Sequence, residues 1–523
     1  MKRWKPRMEF SKKEQILLKR LKRTRKLFAF LRLQRDVLFD DDFQKELESM
    51  YRDTGAGEEP VPPALLCMAL ILQGYIGVSD AEAVELTVVD ARWQMVLDCL
   101  GAEEPVFAQG TLQQFRERLI RADMDRRLLE RTRELAKKTG GFDWKKLPKD
   151  LRVGIDSRPL LGAGRVEDTF NLLGHAARKL VECVATTMHR EFEEVCRVAG
   201  IPVLLAPSIK TALDVNWSDP EQRDDALNIL LTQVTSLCSW LICKGIVLDE
   251  PLQPYVEAVA QVHEQDIEEL KGGRTRIRRG VAADRRVSLE DAEMRHGRKS
   301  KSKRFNGYKE HVAADLDSDL ILACAVTPAN LPEEEATPQL QQDMARQRIR
   351  IGELFIDRAY INSLLVDEVE ANGGEVICKP WSPPNQKGKF SKKEFKIDMR
   401  SKTITCPAGQ VEPFESGQTV HFDPELCGCC LLRADCTYSA SGRGRTVQIA
   451  QDERRQQRLR RRQRSRKGRE KLRQRTGIEH RLAHVAARKG PKARYRGTRK
   501  NQFDLRRAAI IQNLETIQRK AAA

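Results

Sequence analysis

No run of eighteen or more apolar residues occurs anywhere in the 523 residues, and the opening MKRWKPRMEF has none of the apolar core of a signal peptide. A cytoplasmic protein is therefore expected. The chain also lacks a GxxxxGK[ST] loop to cradle phosphates and a GxGxxG turn for a dinucleotide, so nothing points to ATP or NAD. Acidic residues are the scarcer charge: 75 Asp+Glu against 93 Lys+Arg leave a formal +18 and a pI near 9.4. That balance makes a polyanion such as DNA or RNA the first partner to consider, with an acidic membrane surface as the competitor. Thirteen cysteines, an odd number in a long chain of intracellular character, favour free thiols or a metal over disulfides. What is present suffices for folding, because 40% hydrophobic content can supply proper cores to several domains.

Residues 1–50 are rich in Lys and Arg with Leu and Phe interspersed, and read as a basic arm. Over 51–145 the pattern is helical. PPALLCMALILQGY opens with proline where a first turn tolerates it, Ser79 and Asp80 can cap the next helix, and TLQQFRERL follows Gly110. Such a unit is compatible with a helix-turn-helix reader of DNA and equally with a plain bundle. Alternation begins at Leu151: in LRVGIDS, Leu151, Val153 and Ile155 fall on one face and Asp156 on the other. Residues 166–299 read as a mostly helical insertion, its helices reaching about Lys271 and ending in the basic loop GGRTRIRRG, because strand signals resume only beyond it.

Residues 308–315 and 320–327 form a hairpin around Asp317, Ser318 and Asp319. A helix over 332–348, the strand IGELFID, a helix over 362–371 and the strand EVICKP follow. Residues 381–451 are a second, cysteine-rich insertion. This order predicts an α/β fold with a mixed sheet assembled from residues 150–165, 300–380 and 452–523.

IGELFID carries Asp357 out of the end of a buried strand, where ligands of open α/β sheets collect. Asp156 ends another strand. Glu479 borders a helix face shared by Ile478, Leu482 and Val485. Three carboxylates suit divalent-metal chemistry on phosphodiesters, which needs hard oxygen ligands and positions open to water and substrate. Taken singly, Asp357 is better explained as a turn or cap, and Glu479 as a surface ion pair with Arg475. Cys406, Cys427, Cys430 and Cys436, with Cys429 as a fifth candidate, are compatible with a structural Cys₄ zinc site or with buried free thiols. Residues 454–475 hold thirteen Lys or Arg and one acid, Glu470, which suits phosphate neutralisation or a basic linker interrupted at Gly468 and Gly477.

PPALLCMALILQGYIGVSDAEAVELTVVDARW, GIDSRPLLGAGRVEDTFNLL, FNGYKEHVAADLDSDLILACAVTPANLPE, FIDRAY and IEHRLAHVAARKGPKARYRGTRKNQFDLRRAAIIQNL occur in this order. Together they resemble the DDE transposases of bacterial insertion sequences over most of the chain. The resemblance implies a ribonuclease-H-like catalytic core and double-stranded DNA, both transposon ends and target, as partner, with a homodimer acting on it. Asp156, Asp357 and Glu479 then take the places of the catalytic acids that hold Mg²⁺ or Mn²⁺, and Arg475 that of an arginine beside the glutamate. A lysine expected seven residues after the glutamate is replaced by Ala486, which leaves Arg488 and Lys489 as the nearest basic residues for DNA. Two other classes compete: a non-catalytic DNA-binding protein descended from a transposase, and a zinc-dependent RNA-binding module.

Overall fold

The computed structural model describes residues 2–21, 25–52, 59–247, 249–300, 302–382, 388–440 and 442–521. In chain order these form α1 (Lys12–Arg20), α2 (Lys26–Leu38), α3 (Asp41–Glu48), α4 (Pro63–Ile76), α5 (Asp80–Val89), α6 (Ala91–Leu97), α7 (Gln109–Arg121), α8 (Met124–Lys138) and β1 (Leu151–Leu161). Next come α9 (Thr169–Met188), α10 (Phe192–Val198), α11 (Ile209–Leu213), α12 (Pro220–Cys243), α13 (Gln253–Asp266), β2 (Ile267–Glu269), β3 (Thr275–Ile277), β4 (Arg295–Arg298), β5 (Arg304–Asp315) and β6 (Ile321–Pro328). They are followed by α14 (Thr337–Arg346), β7 (Ile351–Phe355), α15 (Leu364–Ala371), β8 (Glu375–Ile377), β9 (Lys396–Asp398), β10 (Thr403–Thr405), β11 (Val411–Pro413) and β12 (Thr419–His421). The remainder is α16 (Pro424–Gly428), α17 (Arg433–Cys436), β13 (Thr446–Gln448), α18 (Glu453–Arg464), α19 (Arg466–Gln474), α20 (Thr476–Lys489) and α21 (Thr498–Ala521).

Local chemistry sets many of these boundaries. Ser11 and Glu14 cap α1 reciprocally, Pro63 opens α4 and Gly77, at φ +88°, closes it. Ser79 Oγ accepts the Glu82 N–H at 3.1 Å and starts α5.

The chain falls into two compact units, the first comprising Met1–Leu151, Ile155–Arg350 and Ile478–Ala523. One apolar core in it runs from Trp4, Phe28 and Phe43 through Leu70, Trp93 and Phe115 to Tyr308 and Val312 of β5, Ile321 of β6 and Ile511 and Ile517 of α21. The first fifty residues therefore do not stand apart as a basic arm: α2 and α3 bury Leu27, Phe28, Leu31 and Phe43, and Arg32 and Arg35 of α2 are buried with them. Residues 51–145 share the same core instead of closing one of their own. Helix α21 is enclosed on most of its circumference, and a Cβ on Gly74 of α4 would come within 2.8 Å of Ile511 Cδ1, the tip of a side chain that would have to shift.

The expected hairpin is β5 against β6, antiparallel, and β4 pairs antiparallel with the first residues of β5, Arg304–Gly307. Helices α9 to α13 close a separate core around Phe170, Leu173, Leu180, Leu227, Leu230 and Val234. By length and composition α12 could cross a membrane, although Leu227, Leu230, Val234, Leu237 and Leu241 form a stripe buried in that core. The helical stretch ends at Asp266, earlier than the expected Lys271, because residues 267–277 fold into the hairpin β2–β3 with Gly272 and Gly273 at positive φ in its turn.

The second unit is Arg152–Gly154 with Ile351–Gly477. Here β7 and β8 run parallel with Glu353 opposite Glu375. Like charges in register repel. Lys471 bonds to both carboxylates, while Arg152 lies 2.9 Å from Glu353 and Arg462 2.9 Å from Glu375. The cysteine-rich segment carries a small antiparallel sheet, β11–β10–β9, and the pair β12–β13. They enclose a core of Phe395, Ile404, Phe414, Val420, Phe422, Val447 and Ile449. The break between α18 and α19 falls at Ser465, whose Oγ accepts the Gly468 N–H at 3.0 Å, and not at Gly468 itself. That glycine lies inside α19, where a Cβ would strike the Arg462 carbonyl; Gly477 lies inside α20.

Candidate active site

Asp156 and Glu479 belong to the first unit, Asp357 and Arg475 to the second. Asp156 follows the buried Val153, Gly154 and Ile155 on β1, is half-buried, and accepts the Ser157 N–H at 2.9 Å. Glu479 lies in the first turn of α20, exposed, while Ile478, Leu482 and Val485 are buried in the core. A helix N-terminus carries partial positive charge, which favours a carboxylate there. Asp357 leaves β7 two residues after Phe355 and is exposed. One of its oxygens accepts the Arg358 N–H at 2.8 Å, so it does cap a turn while offering its carboxylate outward. The guanidinium of Arg358 stands 5.5 Å from the centre of the Trp381 ring. The buried Cys378 thiol, just beyond β8, is pushed up to about 12, first by burial and further by the Asp357 charge, with Arg358 and Arg475 opposing. Arg475 ends α19.

Of the two basic residues at the end of α20 expected to meet DNA, Lys489 is spoken for. Its side chain is buried, with Nζ 2.6 Å from Glu310 and 3.1 Å from Asp504. It braces the first unit from inside, and its charge is not on offer to phosphate. Arg488 reaches Glu515 at 2.7 Å. The Asp504 carboxyl would be raised by its burial, but Lys489 and Arg507 more than reverse this and hold it at about 2. Arg507 in turn donates to Gln73 at 3.0 Å.

Within residues 453–475, several cations are likewise committed. Arg455 pairs with Asp367 and Glu370, Arg458 with Glu370, Arg460 with Glu453, and Lys471 with Glu353 and Glu375. Arg454, Arg461, Arg464, Lys467 and Arg473 are exposed. Glu310, Arg158 and Arg358 escaped the sequence reading. Only Arg358 left a signal, standing next to Asp357 in FIDRAY.

Cys406, Cys427, Cys430 and Cys436 line one cavity of about 530 Å³ in the second unit, with Arg433 and Arg445; Cys429 is exposed and outside that lining. Cys406 Sγ accepts the Gln410 N–H at 3.3 Å across the CPAGQ turn, in which Gly409 has φ +94°. Among the described residues, no three His, Cys, Asp or Glu side chains are grouped so as to hold a metal ion. The four sulfurs thus share a cavity without closing on one point.

No curated protein and no solved structure matches the chain. Two family models do. The transposase DDE domain matches residues 278–514, a span that includes Asp357 and Glu479 but begins after Asp156, and a transposase domain designated DUF772 matches residues 18–118, within the N-terminal helices. With a transposase domain at each end and exposed acids at a strand terminus and a helix start, the chain belongs to the DDE transposases of insertion sequences.

Proposed function

We propose that this transposase binds the ends of its element, cleaves the DNA there and joins the freed ends to a target, with Asp156, Asp357 and Glu479 acting together on a ribonuclease-H-like sheet in the bacterial cytoplasm. The observation that carries the reading is Asp357: an exposed carboxylate just past a strand whose last residues, Leu354 and Phe355, are buried, inside the span that matches the DDE domain. The donor set is all oxygen, which fits Mg²⁺ or Mn²⁺. A divalent ion bound there supplies charge stabilisation to the attacking and leaving oxygens of in-line displacement at phosphorus. The protein's own part is to hold the three carboxylates on rigid elements and to grip the DNA backbone through exposed arginines such as Arg461 and Arg464. A pair of chains acting on two ends is part of the same proposal.

Asp357→Asn keeps the side chain's size and removes its charge. Cleavage of end-bearing DNA with Mg²⁺ should fall by orders of magnitude, while retention of the same DNA without metal should persist, because it rests on Lys and Arg contacts to phosphate. Equal cleavage by both proteins would remove Asp357 from the mechanism. Wild-type protein that retains its ends yet never cuts them, with either ion, would favour a non-catalytic DNA-binding descendant.

A structural zinc at Cys406, Cys427, Cys430 and Cys436 is a separate proposal. Support comes from their shared cavity, the N–H donated to Cys406 and the small apolar core beside them.

A further inference from the structure

Glu310 is a buried carboxylate with no part in binding or chemistry as described so far. It lies in β5 with its side chain fully enclosed, and two cations close on it: Arg158 Nε at 2.5 Å and Lys489 Nζ at 2.6 Å. The two come from the elements that carry the first unit's acids. Arg158 is two residues past Asp156 on β1, hence on the same face of the strand, and Lys489 is the last residue of α20, whose first turn holds Glu479. Arg158 Nη2 also donates to the Gly490 carbonyl at 3.2 Å. Beyond that point the Leu161 N–H donates to the Pro491 carbonyl at 2.9 Å, and the Ala493 N–H to the Leu161 carbonyl at 2.7 Å.

Burying three charges is a costly way to hold two elements, since apolar side chains of similar volume often stabilise as much or more. What charge-assisted hydrogen bonds add is direction: each fixes where its donor points. We propose that Glu310 is a positioning residue for the DDE centre, bridging Arg158 and Lys489 so that β1 and α20 are locked in one register and Asp156 and Glu479 are presented together. This rests on the functional reading above. Lys489 keeps Asp504 as a second partner at 3.1 Å, so loss of the Glu310 charge does not strand it.

The test is Mn²⁺ binding to the full-length chain, followed by electron paramagnetic resonance, together with hydrogen exchange of residues 476–489 and the melting temperature. Glu310→Gln should weaken Mn²⁺ binding by about tenfold or more, the usual effect of losing a partner that orients metal ligands, and should speed exchange in the first turn of α20. DNA retention without metal should not change. Lys489→Met cuts the other arm and leaves the Arg158 pair, so it serves as well where Glu310→Gln does not fold. It also separates position from charge, because removing a nearby cation would by electrostatics alone tighten Mn²⁺, whereas a lost brace weakens it. Tighter Mn²⁺ binding by Lys489→Met, or a lower melting temperature with unchanged Mn²⁺ affinity in both variants, would overturn the proposal while leaving the DDE assignment intact. A wild-type chain whose Mn²⁺ binding is absent, or is unaffected by Asp357→Asn, would remove the DDE assignment itself and this inference with it.

Discussion

Asp504 shows how a single side chain can tie stability to pH. Its carboxyl, held at about 2 against an ordinary 3.8, is depressed on folding, so its contribution is fully present above about pH 4 and is lost as pH falls through 2. Asp315 and Asp343, both pushed up by burial, act in the opposite sense, so the effect is best read as a difference between two proteins. Above pH 4, wild type should exceed Asp504→Asn by about 2 kcal/mol in denaturant unfolding, and the gap should shrink toward zero by pH 2. A gap that stays constant over that range would show that the Asp504 carboxyl is not depressed on folding. The partners of Asp504 were not legible in the sequence. KNQFDLRRA reads as a polar helix face, and neither Lys489 nor Glu310 can be paired with it from spacing, since burial is decided by elements hundreds of residues apart. Asp357 was legible, because a short apolar run ending in an acid says where a strand stops.

At the level of elements, patterns with a local cause were the readable ones. Capping residues placed α1 and α5, and alternation placed β1, β5 and β6, because each depends on neighbours within a few positions. The arginine-rich stretch was not readable as structure. Its order comes from Asp367 and Glu370 of α15, Glu353 of β7 and Glu375 of β8, which answer charges 85 to 118 residues away. The cysteine-rich segment occupies a middle ground: spacing selected the four cysteines that share a cavity, but the small strands β9 to β13 are too short to announce themselves. If zinc holds them, protein purified without chelator should contain one zinc per chain, and chelation should make residues 388–451 sensitive to protease while α20 and α21 stay protected. Zinc-free protein with that segment equally resistant would leave a cluster of free thiols.

Over the whole molecule, the sequence set residues 51–145 apart as a helical unit, a DNA reader or a plain bundle, whereas these helices share one apolar core with β5, β6 and α21. Composition could not reveal this, because an amphipathic helix looks the same whether it packs on its neighbours or on α21. A fragment of residues 151–521 should therefore keep helical circular dichroism but lose its cooperative melt, since Leu505, Ile510, Ile511, Leu514 and Ile517 would lose the helices that cover them. A sharp transition in that fragment would show that the N-terminal helices are dispensable to the core.

The hydrogen bond from Arg507 to Gln73 closes a separation of 434 residues. A ribosome adding about 5–20 residues per second makes α4 roughly 20–90 seconds before it makes the helix that α4 packs against. For that interval Leu66, Leu70 and Ile71 have no finished core to enter. Each new chain thus carries an unfinished apolar face until its last helix is made, and completion of this core waits on the end of synthesis.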